Sequence, residues 1–240
     1  MGRGATRGRV GLEDALRRDR EDALPGLDVS RETLMRLDAY VDLLVKWQSA
    51  LNLIAPSTLP AIWSRHVLDS AQIAEIGAAH RSWADLGSGA GFPGLVVALL
   101  LDDPRIRQNR APGVVHLVES DQRKASFLRE AIRVTKAGAI VHACRVEEAR
   151  GRLAGRVTAV TARALAPLRE LLLLAEPLLT TRADGFFPKG QALDSELELA
   201  ATHFLFDSQI VPSRTSKEGR VLVVSNLRRR GPLRECHDEP

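Results

Sequence analysis

Two observations predict an α/β fold for this chain of 240 residues. From about residue 80 onward, short apolar runs alternate with segments whose apolar residues recur at helical spacing, the pattern of a sheet with helical crossovers. Within that alternation, Trp83-Ala84-Asp85-Leu86-Gly87-Ser88-Gly89-Ala90-Gly91-Phe92-Pro93-Gly94 reads as strand, glycine turn and helix start, followed by the helix-compatible run Leu95 to Leu101. Upstream, residues 29–79 carry two helical patterns. The expected organisation is a basic, disordered arm over residues 1–28, a helical N-terminal extension over 29–79, an α/β domain over 80–227 and a polar tail over 228–240.

The elements follow in chain order. The arm holds Arg3, Arg7, Arg9, Arg17, Arg18 and Arg20, with one short amphipathic turn at Leu12, Ala15 and Leu16. A solvated arm and an RNA-contacting arm fit it equally. Ser30 suits an N-cap, and Leu34, Leu37, Val41, Leu44 and Val45 then mark a helix ending near Trp47. Asn52 to Pro56 reads as a loop, and Leu59 to Ile76 as a second helix, on which Arg65 and Asp69 are i, i+4 neighbours beside His66.

After the glycine turn, Val114–Val118 suits a buried parallel strand ending in Glu119. A helix at Gln122–Val134 follows, then a strand at Ala139–Ala143 and another at Val157–Thr161 that places Arg163 at its carboxyl end. Helices at Leu168–Leu178 and Leu193–Ala201 flank a short strand and turn at Gly185–Gly190. Three short closing strands are expected at 203–206, 209–211 and 221–224. Residues 102–113 read as an inserted polar loop.

The glycine turn constrains its ligand. Its spacing is G-x-G-x-G, whereas a dinucleotide pyrophosphate is gripped by G-x-G-x-x-G. Asp85 stands two residues before the first glycine and repels phosphate, but it attracts a cationic or hydroxyl-rich ligand. S-adenosylmethionine fits, with an amino group, a sulfonium, a ribose and no phosphate. Glu119 at the end of the second strand suits both ribose hydroxyls, although it lies 32 residues beyond Gly87 where about 20 is usual. Val146 and Glu147 follow the third strand and can flank an adenine. A tight structural turn without a ligand is the plainer alternative.

Composition narrows the classes further. The apolar content of 45% suffices for a core, filled by aliphatic residues since only 4% is aromatic. The net charge of +4 makes an acidic partner plausible. Two cysteines, Cys144 and Cys236, make neither a disulfide framework nor a zinc site, so no metal is expected and a reducing cytoplasm is the simplest location. The apolar runs are too short for a bilayer, and the arginine-rich start lacks the apolar region of a signal peptide. Nothing in the sequence requires an oligomer, so a monomer is expected.

Several blocks, in order across roughly residues 30 to 225, carry a resemblance. They are Asn52-Leu53-Ile54, Arg65-His66-Val67-Leu68-Asp69-Ser70, Asp85 to Gly94, Arg145-Val146-Glu147-Glu148, Thr161-Ala162-Arg163-Ala164 and Lys189-Gly190-Gln191. With them the chain resembles the glucose-inhibited division protein B family, bacterial methyltransferases that form 7-methylguanosine in 16S ribosomal RNA of the small subunit. The glycine block alone is that of class I methyltransferases; its Phe-Pro-Gly ending and the upstream Arg-His block are more specific. The resemblance implies a class I S-adenosylmethionine-dependent methyltransferase fold, Rossmann-like with a seven-stranded sheet and a helical N-terminal extension.

It also implies roles. S-adenosylmethionine is the methyl donor and S-adenosylhomocysteine the product. Asp85, Gly87, Ser88, Gly89, Gly91 and Phe92 belong to the donor loop, Glu119 to the ribose, and Val146 and Glu147 to the adenine. Arg163 stands at the methyl-transfer end, near the donor and orienting the substrate. Arg65, His66 and Lys189 are candidates for RNA contact. Glu119 stands where Asp is more familiar, and Pro188 replaces a more usual apolar residue before Lys189.

Guanine N7 can attack a methyl group without first losing a proton, so no general base is required, and no acid–base dyad is evident. Cys144 reads as a buried small residue, not a nucleophile. Two other readings remain open from the residues alone: a methyltransferase of a small molecule or protein, and a non-catalytic donor-binding assembly factor.

Overall fold

The computed structural model describes residues 3–230, with side chains from residue 11 onward. Helices α1 (Arg3–Ala23), α2 (Arg31–Leu51) and α3 (Asp69–Ile76) precede the first strand. The α/β region then runs β1 (Ser82–Leu86), α4 (Gly94–Asp102), α5 (Pro104–Arg107), β2 (Val114–Val118), α6 (Gln122–Thr135), β3 (Ala139–His142), α7 (Val146–Leu153) and β4 (Ala159–Thr161). It closes with α8 (Leu168–Leu179), β5 (Asp184–Lys189), α9 (Leu193–Ala201), β6 (Phe204–Pro212) and β7 (Arg220–Arg229).

The strands form one seven-stranded sheet in the order β3-β2-β1-β4-β5-β7-β6. The first five are parallel, and β7 runs antiparallel to both β5 and β6. The order reverses between β1 and β4, so the chain leaves these strands toward opposite sides and opens a crevice at their carboxyl ends. Gly87 follows β1 and Arg163 follows β4 at that crevice.

Two apolar clusters cover the two faces. One gathers Leu172, Leu178, Phe187 and Leu222 around α7, α8 and α9. The other joins Leu37, Tyr40 and Leu44 of α2 to Leu95, Leu99 and Phe127. Helix α4 explains the continuous apolar run: residues 94–101 are all buried, because α2 and α3 cover the side of the helix turned away from the sheet.

Several expectations are corrected. The arm expected to be disordered is helical from Arg3 to Ala23, and residues 1 and 2 lie outside the described residues. Arg20 makes a bidentate pair with Asp38 of α2, at 2.6 and 2.8 Å, and stands 5.5 Å from the Trp63 ring centroid. The isolated apolar turn in the sequence is thus completed by tertiary contacts. Helix α2 is capped as expected, Ser30 Oγ accepting from Thr33 N, but runs four residues past Trp47 to Leu51. The second expected helix is three segments: a 3₁₀ turn at Pro56–Ala61, a π-helical turn at Trp63–Leu68, and α3.

The inserted loop is anchored. Asp103 caps α5 and also accepts from Ser30 N at 2.7 Å, and Arg105 reaches Asp28. The first two closing strands are one, β6, with an irregularity between Leu205 and Asp207. The basic stretch assigned to the tail belongs partly to β7, where Arg229 pairs with Glu176 of α8. Residues 231–240, with Cys236, lie outside the described residues.

Candidate active site

The glycine turn is held in place from both sides. Gly87 adopts φ +69°, which favours glycine, and a Cβ there would also press on Leu165 Cδ1 at 2.7 Å. Gly89 N donates to Glu119 Oε2 at 2.8 Å, while Glu119 Oε1 accepts from Asp121 N at 2.7 Å. On the other side Tyr40, fully buried on α2, donates from Oη to Ala90 O at 2.5 Å. Gly91 faces that tyrosine: a Cβ would stand 3.0 Å from its hydroxyl.

Two adjoining cavities open around this turn. The first, about 360 Å³, is lined by Gly87, Gly89, Glu119, Val146, Glu147 and Arg163 among others. The second, about 490 Å³, is lined by Gly87, Ser88, Gly89, Phe92, Arg65, His66 and Arg163, and by Thr215 and Ser216 of the β6–β7 connection. Gly87, Gly89, Lys124, Arg163 and Ala164 border both, so the two cavities meet at these residues.

The first cavity has the chemistry that an adenosyl group needs. Each carboxylate oxygen of Glu119 uses one lone pair on backbone and keeps another for a ribose hydroxyl. Val146, at the start of α7, offers an apolar wall.

Arg163 is the focus of the second. Its guanidinium lies 5.3 Å from the Phe92 ring centroid and forms no hydrogen bond or ion pair among the described residues. Burial pulls its pKa down, against the opposing pull of Tyr40, Asp69 and Asp85. It stays charged at any working pH. A cation so placed is drawn to an acceptor atom that a ligand brings.

Two residues of the donor loop, Asp85 and Gly91, stand away from both cavities. Asp85 does not line either cavity; it lies beneath the turn, fully buried, with Oδ2 accepting from Gly94 N at 3.2 Å and Oδ1 without a partner. Burial pushes its carboxyl up to about 7, against the nearby Ser88 hydroxyl, the Gly94 N–H and the charge of Arg163. Gly91 likewise turns toward the core. Ser88 is buried and donates to Asp85 O, shaping the turn while it borders the wider cavity.

The RNA candidates divide. His66 is not a cation here: burial, with Arg163 and Arg65 nearby, brings its pKa down to about 3. Its ring stacks on Phe92, centroids 5.1 Å apart. Thr58 Oγ1 donates to Ala55 O, which leaves it to accept from His66 Nε2 at 2.9 Å; the acceptor nitrogen is therefore Nδ1. Lys189 pairs with Glu196 at 2.6 Å and is largely buried, so it is not a free phosphate contact. It borders a neighbouring hollow that it shares with Arg163.

Arg65 is exposed at the cavity wall, but the expected pair with Asp69 does not form. The π-helical turn alters the spacing, and Asp69 instead accepts from Ser213 and Thr215. Lys124 was missed by the sequence reading. It lies in the first turn of α6, capped by Asp121, and its position beside the glycine turn is visible only in three dimensions. Cys144, near Arg152, borders the first cavity.

Comparison with known proteins agrees with this architecture. An O-methyltransferase from Bacillus cereus, solved in complex with SAH, superposes with a TM-score of 0.52 at 11% identity, covering 78% of this chain and 90% of that one. TYW2 from M. jannaschii, in complex with AdoMet, gives 0.50 at 14% identity, covering 70% and 78%. These show the fold.

Relatives named ribosomal RNA small subunit methyltransferase G are far nearer in sequence. That of Bradyrhizobium diazoefficiens is 45% identical over 221 residues, 92% of this chain and 82% of the relative. That of Parvibaculum lavamentivorans is 49% identical over 213 residues, 88% of this chain and 89% of the relative. The family model described as rRNA small subunit methyltransferase G matches residues 33–223. With a class I methyltransferase sheet and a glycine turn opening on an adenosyl-sized cavity, the chain belongs to the GidB family, rRNA small subunit methyltransferase G.

Proposed function

We propose that this chain transfers a methyl group from S-adenosylmethionine to N7 of one guanine in the 16S RNA of the small ribosomal subunit. The observation that carries the reading is Arg163, an unpaired, largely buried cation where the donor cavity meets the wider one. An arginine there can donate to guanine O6 while leaving the N7 lone pair free, or hold a phosphate. The family name supports ribosomal RNA as the class of substrate.

S-adenosylmethionine supplies an electrophilic methyl group on a positively charged sulfur. The guanine N7 lone pair forms the new bond, the carbon–sulfur bond breaks, its electron pair stays on sulfur, and the positive charge passes to the purine. No proton leaves in this step. That accords with His66, neutral and capped by Thr58, and with the absence of any free carboxylate lining the wider cavity other than Asp69, which is engaged by Ser213 and Thr215. The chain's own task is alignment, which supplies roughly 7–11 kcal/mol in well-oriented reactions. Glu119, Val146 and the glycine turn hold the donor; Arg163 orients the base; Arg65 and Lys124 meet RNA at the cavity mouth. The target base must leave its stack to enter.

None of the described helices is long and apolar enough to cross a membrane. We place the enzyme in the cytoplasm with its ribosomal substrate, acting as a monomer.

The test is direct. Small subunits lacking the modification are incubated with labelled donor, and the RNA is mapped for aniline-labile sites. Label at one guanine is expected; label in protein, or none, would sink the reading. The Arg163→Ala variant should keep donor affinity by calorimetry and lose about 100-fold or more in transfer, the scale of a lost transition-state contact.

A further inference from the structure

Helix α1 packs against the turn that borders the candidate site, and Asp19 supplies its hydrogen bonds to that turn. The π-helical turn Trp63–Leu68 carries Arg65 and His66, yet the residue at its N-cap position, Ile62, makes no side-chain cap. The orphan donors are met by Asp19 of α1. Its Oδ2 accepts from Trp63 N at 2.7 Å, and its Oδ1 accepts from Ser64 Oγ at 2.5 Å and from Ser64 N at 3.3 Å. Neighbouring Arg20 fixes the register of α1 through Asp38 and the Trp63 ring.

We propose that Asp19 is a positioning residue for RNA binding, setting through this cap the turn that presents Arg65 and His66. Its helix precedes residue 33, where the family match begins. The capped donors stand immediately before Arg65, so loss of the cap frees that turn at its first residues. Among the described residues Asp19 makes no hydrogen bond or ion pair with Glu119, Val146 or the glycine turn, and the turn it caps meets the donor loop at the His66–Phe92 stack, away from the adenosyl cavity. The effect therefore falls on the RNA substrate. The inference rests on the reading of Arg65 as facing RNA.

Four full-length variants decide it: Asp19→Ala, Asp19→Asn, Arg65→Ala and the Asp19→Ala/Arg65→Ala pair. Each is assayed for KM toward unmodified small subunits, kcat, and donor Kd. Asp19→Ala should raise KM about tenfold with donor Kd changed less than about twofold, as a lost cap of ordinary strength would. Asp19→Asn should recover most of the loss, because its side-chain oxygen still accepts from Trp63 N. The double variant should be no worse than Arg65→Ala, since both act through one turn. Unchanged KM in Asp19→Ala, or fully additive effects, would overturn the inference. If Arg65→Ala itself leaves KM unchanged, the reading of Arg65 fails and takes the inference with it. Should Asp19→Ala not fold, Ser64→Ala with Asp19→Asn makes the same comparison against Arg65→Ala.

Discussion

At Asp85, burial pushes the carboxyl up to about 7. The unfolded chain loses this proton near 3.9. Between those values the folded state alone keeps it, so this group's contribution to stability is full below about 3.9 and is lost as pH rises through about 7. Asp85→Asn keeps an acceptor for Gly94 N and cannot ionise. Denaturant titrations at pH 5 and 8 should show the wild-type chain losing on the order of 2–4 kcal/mol more than the variant over that interval. An equal loss in both would show that Asp85 does not titrate. His66 works in the opposite sense. Its depressed pKa leaves it neutral throughout the neutral range, so His66→Asn should leave the shape of the pH–rate profile between pH 6 and 8 unchanged. Neither protonation state was legible in the sequence. Arg65-His66 reads as a basic pair on a helix; only the burial of the imidazole and the proximity of Arg163 show that one of the two carries no charge.

The elements that position the donor were the most legible, because their signals are local. The strand, glycine turn and apolar helix of residues 82–102 stand where the glycine spacing and the run Leu95–Leu101 put them. Helix α9 matches its expected bounds. Elements set by tertiary contact were not legible. Polar Asp207 and Ser208 interrupt an apolar run, yet β6 continues because it is an edge strand with one side open to water. Helix α7 carries too few apolar residues to announce itself. The glycine turn makes two predictions at this scale. Gly87→Val forces a β-branched residue to φ +69° against Leu165, a strain of about 1–3 kcal/mol, and calorimetry should show donor binding lost. Tyr40→Phe keeps the ring beside Phe92 and Phe127 but removes the bond to Ala90 O, worth about 1 kcal/mol, and should weaken donor binding by roughly fivefold. Unchanged affinity would mean that the turn holds its shape without α2.

For the whole molecule, the net charge of +4 matters less than its placement. Several arginines are spent on partners within the chain: Arg36 on the carbonyls ending α6 and on Asp102, Arg229 on Glu176, Arg20 on Asp38. Arg65 and Lys124, at the cavity, form no ion pair among the described residues. Affinity for RNA should therefore fall steeply between about 50 and 200 mM salt, with a slope set by a few phosphate contacts, while donor affinity stays level. A salt-independent KM for the subunit would remove RNA phosphate from the account. The sequence also suggested a boundary near residue 80, where helical patterns give way to alternation. The packing ignores it. Leu37, Tyr40 and Leu44 share one apolar cluster with Leu95 and Phe127, on both sides of that boundary. This sharing sets an order of events during synthesis. As the chain leaves the ribosome, α2 emerges with an apolar face whose partner, Phe127, has yet to be translated, and a helix without its tertiary packing is marginal in water. The N-terminal helices must wait, shielded or partly unfolded, until residues through α6 have emerged. An enzyme of ribosomal RNA is thus itself exposed to misfolding on the ribosome for the time it takes to translate roughly half its length.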